Sequence, residues 1–199
     1  MLNVVFDLGG VVFEWDPDKI LSDYYPDPES RRAMKAAVFQ HPDWLRMDRG
    51  TLAEAEMVAR VRERTGRPEA EVGGLLEAVR VSLTPKPETL EWLRALAESD
   101  VPLYCLSNMP ASTFAYLSER HGFLGLFRGT VISGEVKLIK PEREIFELLL
   151  ERFGLAGERT VFIDDHLPNI KAAQALGIHT IWFQGAHRAQ VELEGLLRA

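Results

Sequence analysis

Residues 4–13 read VVFDLGGVVF. The apolar, β-branched run reads as a buried strand. It delivers a single carboxylate, Asp7, into a glycine turn, and the apolar pattern then resumes at Val11. Working outward, strand-like runs recur at Asn3–Leu8, Pro102–Leu106, Gly129–Ser133, Thr160–Ile163 and His179–Phe183. Helix-period segments lie between them: Lys86–Glu98 carries Leu90, Leu93, Leu96 and Ala97 on one face, and Pro141–Phe153 carries Ile145, Phe146, Leu149 and Phe153. Strands alternating with helices of this length predict an α/β fold, a doubly wound parallel sheet covered on both sides.

Residues 16–83 break the alternation. They hold no convincing strand and at least three helical patterns, so they read as an α-helical insertion into a core made of residues 1–15 and 84–199. One pattern opens Thr51-Leu-Ala-Glu54, a capping-box signature, and Gly66 suits its C-terminal end. Another, from Pro68, sets Val72, Leu75, Leu76, Val79 and Leu83 on one face. Because the insertion leaves just after Asp7, it is expected over the carboxyl end of the first strand.

At 46% hydrophobic and 27% charged, the chain has the composition of a soluble globular protein. Its apolar runs are far shorter than a membrane helix requires, and Asp7 interrupts the N-terminal run, so no signal peptide is expected. A single cysteine, Cys105, excludes an internal disulfide and suits a reducing, cytoplasmic setting; its apolar flanks predict a buried residue. The net charge of −7 argues against nucleic acid as a partner but not against a small anionic substrate. No feature of the sequence specifies an oligomeric state.

Ligands of open parallel sheets bind at the carboxyl ends of the strands. The ends here carry Asp7 and Gly9-Gly10, then Ser107-Asn108, then Asp164-Asp165 with Asn169 one helical turn on; a further loop carries Lys137 and Lys140. Taken singly, these residues read equally as turn, cap or solvated loop residues. Taken together, they converge on one edge. Clustered carboxylates repel one another unless a cation intervenes, and hard oxygen donors suit Mg²⁺. A carboxylate beside Mg²⁺ can attack phosphorus, while a hydroxyl, backbone N–H groups and a lysine can hold the phosphoryl oxygens.

The ordered segments FDLGGVV, LSNM, IKPEREIF and FIDDHLPNIKAAQALGI resemble the haloacid dehalogenase-like hydrolase superfamily, specifically its phosphatases with a helical cap on a Rossmann-like core. The resemblance runs nearly the full chain. Within the insertion, WLRMDRGTLAEAEM from Trp44 is similar to a bacterial branch that includes α-D-glucose-1-phosphate phosphatase. The resemblance implies Asp7 as the nucleophile that becomes phosphorylated, and Ser107 and Asn108 as binders of the phosphoryl oxygens. It implies Lys140 as the balancing charge and Mg²⁺ as cofactor. The metal would be held by Asp7, the Gly9 carbonyl and Asp165, with Asp164 and Asn169 orienting its outer shell.

Most phosphatases of this superfamily carry a second Asp where Gly9 stands, to protonate the leaving alcohol and then activate water. Loss of a general acid–base costs roughly 10² to 10⁴ in rate, about 3 to 5 kcal/mol. Glu14, Asp16, His166 or a residue of the insertion are the candidate substitutes. Three readings follow: a phosphomonoesterase acting on a small phosphorylated metabolite such as a sugar phosphate; a 2-haloacid dehalogenase, whose halide needs no proton; or a module that binds phosphate without turnover. Trp15, Trp44, Arg46 and Arg49 are the candidate substrate contacts of the insertion.

Overall fold

The computed structural model describes residues 2–198. Among these, five strands, β1 (Asn3–Phe6), β2 (Leu103–Ser107), β3 (Gly129–Ile132), β4 (Thr160–Asp164) and β5 (His179–Trp182), form one sheet. Neighbouring pairs are all parallel, in the spatial order β3-β2-β1-β4-β5. The central place of β1 explains the uninterrupted apolar run that opens the chain: Val4, Val5 and Phe6 are fully buried because neither face of this strand meets water. Two strands run one residue past their expected ends, so Ser107 and Asp164 still belong to the sheet. β1 stops at Phe6 and leaves Asp7 just beyond it.

After β1 the chain departs through five α-helices, α1 (Pro17–Tyr24), α2 (Pro28–Met34), α3 (Pro42–Asp48), α4 (Glu54–Thr65) and α5 (Glu69–Ser82), with a π-helical turn at Lys35–Phe39 between α2 and α3. Asp16 and Asp27 cap α1 and α2 by accepting from Lys19 N (3.0 Å) and Ser30 N (2.7 Å), with proline in the first turn of each. Gly66 ends α4 in the left-handed conformation. These helices build their own core around Met34, Met57, Val61, Val72 and Leu75. The expected capping box does not form. Thr51 and Leu52 return their N–H groups to Arg46 O at the end of α3, so α4 begins three residues later with Ala53 as its cap; Glu54 instead pairs with Arg80 at 2.7 Å.

The chain then completes the core with α6 (Pro87–Glu98), α7 (Ala111–Arg120), α8 (Ser133–Val136), α9 (Arg143–Phe153), α10 (Leu167–Gln174) and α11 (Ala186–Arg198). Alternate residues of β1 serve opposite faces. Val4 and Phe6 pack with Trp92 and Leu93 of α6 and Leu193 of α11, while Val5 packs with Phe146 and Leu149 of α9 and Ile170 of α10. Cys105 is unpaired and buried, as expected.

Candidate active site

Three neighbouring strands place Ser107, Asp7 and Asp164 side by side at one edge of the sheet. Asp7 is 8% exposed, and its Oδ1 accepts from Leu8 N (2.7 Å) and Lys140 Nζ (2.9 Å). The Lys140 ammonium also donates to Asp164 Oδ2 (2.7 Å) and Leu106 O (3.0 Å), so each of its three N–H groups has an acceptor. Burial lowers this lysine's pKa, but Asp164 and Asp7 outweigh burial and hold it above the ordinary lysine value. Burial pushes the Asp7 carboxyl up to about 7, against the pull of Lys140 and with repulsion from Asp164 and Asp165 added.

Asp164 is fully buried. His166 N (2.7 Å), Lys140 Nζ and Asn169 Nδ2 (3.0 and 3.1 Å) hold its carboxylate rigid. Carboxylate oxygens of Asp7, Asp164 and Asp165 lie within 4.8 Å of one another. One ammonium against three carboxylates leaves excess negative charge, and two buried polar atoms, Ser107 Oγ and Asn169 Oδ1, have no partner. An all-oxygen donor set with uncompensated negative charge fits a hard divalent cation, and an unpartnered buried hydroxyl needs a ligand to satisfy it.

The glycine pair divides in function. Gly10 has φ +76°, and a Cβ there would run into the Asp165 carboxylate, so the backbone turn and the close approach both demand glycine. Lys86 Nζ fixes this turn from below through Gly10 O at 2.6 Å. A Cβ on Gly9 would only touch Trp15 at 3.9 Å, an ordinary contact. Conformation and space therefore demand glycine at position 10, whereas position 9 has room for a Cβ.

Above this edge lies a cleft of about 560 Å³, with Asp7, Ser107, Lys140 and Asp165 at its base and Trp15, Trp44, Leu76 and Val79 among its upper walls. The helical insertion is fastened over it: Ser133 Oγ donates to Asp48 O at 2.6 Å, Lys137 Nζ to Gly50 O at 2.7 Å, and Arg49 pairs with Glu142.

A family model of haloacid dehalogenase-like hydrolases matches residues 1–177. The chain belongs to that family. A sesquiterpene phosphatase, astK, from Aspergillus oryzae is 28% identical over 174 residues, covering 87% of this chain and 85% of the relative. A haloacetate dehalogenase from Moraxella is 29% identical over 100 residues, half of this chain and 45% of that one. Among solved structures, the haloacid dehalogenase-family enzyme bt-2542 from Bacteroides thetaiotaomicron shares 26% identity at a TM-score of 0.74, covering 91% of this chain and 92% of that one. The same enzyme in complex with magnesium and inorganic phosphate superposes at a TM-score of 0.71.

The hydrolase fold gathers Asp7, Ser107, Lys140, Asp164, Asp165 and Asn169 at one edge. Asn108 borders the cleft, but its amide is engaged in clamping the loop that carries the lysine: it accepts from Lys140 N and donates to Lys140 O, both at 2.9 Å. Of the candidate substitutes for the second acid, Glu14 is exposed beside Lys86, and Asp16 caps α1; neither lines the cleft. His166 does line it. Trp15, Trp44 and Arg49 also face the cleft, whereas Arg46 turns away to Asp43. Asp48 is a cleft residue that the sequence did not single out. It is 7% exposed, it has no ion-pair partner among the described residues, and burial raises its carboxyl well above the ordinary value against a hydrogen bond from Trp44. Its only local signal was an acid beside Arg49-Gly50.

Proposed function

We propose that the chain is a Mg²⁺-dependent phosphomonoesterase that works through an aspartyl-phosphate, with residues 16–83 as a cap over the core. The observation that carries this reading is the buried Lys140 ammonium shared by Asp7 and Asp164, beside a third carboxylate. Asp7 attacks phosphorus: an Asp7 oxygen–phosphorus bond forms as the ester oxygen leaves, and water then hydrolyses the acyl phosphate. Lys140 opposes the rise that burial gives the Asp7 carboxyl, and Ser107, whose buried hydroxyl has no other partner, holds a phosphoryl oxygen with Lys140 and Asn108 beside it. Mg²⁺, held by Asp7, the Gly9 carbonyl and Asp165 with Asp164 and Asn169 in its outer shell, would neutralise phosphate charge and polarise phosphorus. The relatives named as a phosphatase and crystallised with magnesium and phosphate support the reading.

A haloacid dehalogenase needs no cation, and three crowded carboxylates would burden it. A phosphate-binding module gains nothing from a carboxylate facing its anion. Among the described residues no helix is long and apolar enough to cross a membrane; the cytoplasm is the proposed setting and a small phosphorylated compound the proposed substrate. The test is phosphate release from an aryl phosphate and a panel of metabolite phosphates, each with Mg²⁺ and with EDTA. Mg²⁺-dependent release is expected; no release from any ester would overturn the reading and move attention to a haloacid assay.

A further inference from the structure

We propose that the alcohol half of the substrate is apolar, an alkyl chain rather than a sugar; this rests on the phosphomonoesterase reading. Above the phosphate end, the cleft wall is made by Trp15, Trp44, Leu76, Val79, Met109 and Ile139. Four of the charged side chains that interrupt it are matched to each other, Arg49 with Glu142 and Arg80 with Glu54, which leaves Asp48 and His166 as its other titratable groups. A sugar entering here would exchange its water for apolar wall, leaving hydroxyls unpaired. A hydrocarbon chain loses nothing and gains burial. Leu45 lines the cleft mouth yet is 57% exposed, an apolar surface that a chain would cover. At about 30 Å³ per water-sized group, the 560 Å³ cleft has room for a phosphate and a chain well beyond it.

The experiment compares a series of n-alkyl phosphates from ethyl to decyl with glycerol and glucose phosphates, in Mg²⁺, using an aryl phosphate as the activity control. Burial of one methylene, about 0.8 kcal/mol, corresponds to a rise in kcat/KM of about fourfold until the cleft is filled. Sugar phosphates should trail hexyl phosphate by at least tenfold. Leu45→Ser, at an exposed position, should lower the ratio of decyl to ethyl kcat/KM about fourfold or more. A flat series, or faster sugar phosphates, overturns the inference while the aryl control still turns over. No release from any ester, the control included, overturns the phosphomonoesterase reading and this inference with it.

A separate observation concerns the missing acid. Of the cleft's titratable side chains, Glu54 and Glu142 are paired with arginines, Lys140 is shared by two carboxylates, and Asp7 and Asp165 belong to the phosphate end. His166 is exposed to solvent beside Asp165. Asp48 is left, buried in the cap and facing the same cleft. We infer that Asp48 is the proton donor that Gly9 cannot be. Its carboxyl gives a proton to the ester oxygen as the phosphorus–oxygen bond breaks and the alcohol leaves. The resulting carboxylate then takes a proton from the water that attacks the phosphorylated Asp7. Burial favours the protonated starting form.

In kcat/KM, which reports transfer to Asp7 and not the shared hydrolysis that follows, Asp48→Asn should slow alkyl phosphates by about 10² or more while slowing p-nitrophenyl phosphate, whose leaving group needs no proton, by less than tenfold. Asp48→Glu should restore part of the alkyl rate. Adding Gly9→Asp to Asp48→Asn should restore it further, since position 9 has room for a Cβ. Equal slowing of both ester types, or of neither, overturns the assignment.

Discussion

A lysine ammonium that is 1% exposed and bonded to two carboxylates keeps its charge only because those partners are in place. Lys140→Met leaves Asp7 and Asp164 as buried, uncompensated charge and should cost about 3–5 kcal/mol in urea unfolding. Asp7→Asn keeps the shape and removes the nucleophile. Turnover should fall by more than about 10³-fold with unchanged circular dichroism, and substantial residual activity would refute the role. The two glycines should respond differently. Gly10→Ala faces a left-handed backbone, about 1–2 kcal/mol, and a collision with Asp165, so it should weaken Mg²⁺ binding in calorimetric titration. Gly9→Ala should leave that binding intact.

At the scale of elements, a contact between α3 and the core fastens the helical insertion. Ser133 Oγ accepts from Met109 N at 2.9 Å and donates to Asp48 O, so one hydroxyl joins the loop after β2 to the end of α3. Ser133→Ala leaves both groups buried and unpaired and should lower stability by about 1–3 kcal/mol, read as a drop in Tm. Asp48 itself adds a pH dependence. Its folded-state pKa is raised by burial, so the native state binds more protons than the unfolded chain above the ordinary carboxylate pKa. Its contribution to stability is present at low pH and falls as pH rises through the folded value. Asp48→Asn should therefore match the parent Tm near pH 4 and exceed it at pH 8. A constant difference across that range would contradict the shift.

For the whole molecule, the crowding of three carboxylates ties stability to the cation. A ligand at one hundred times its Kd stabilises by about 2.7 kcal/mol, which for a chain of this size is a rise in Tm of about 5–10 °C. Mg²⁺ should produce such a shift in differential scanning fluorimetry, and Asp165→Ala should abolish it. If the parent protein shows no shift with Mg²⁺ and a phosphate analogue together, the metal reading loses its support.

The sequence by itself determined the sheet and the base of the site. Strand and helix periodicity are short-range properties, and VVFDLGGVVF is apolar on both faces because β1 is central; Ser107, Asp164 and Asp165 follow from where their strands end. Tertiary structure decided the rest. Asn108 clamps the backbone of residue 140, 32 positions away, and Asp48 is fastened to Ser133 across 85 positions. No local pattern carries that information. Thr51 failed as a cap because the chain after α3 coils back onto Arg46 O and delays the next helix. The apolar cleft depends on arginines finding their acids, Arg49 with Glu142 and Arg80 with Glu54. Only the folded chain brings these charges together, and it sets Trp15, Trp44, Leu76 and Val79 in the same cleft as Asp7.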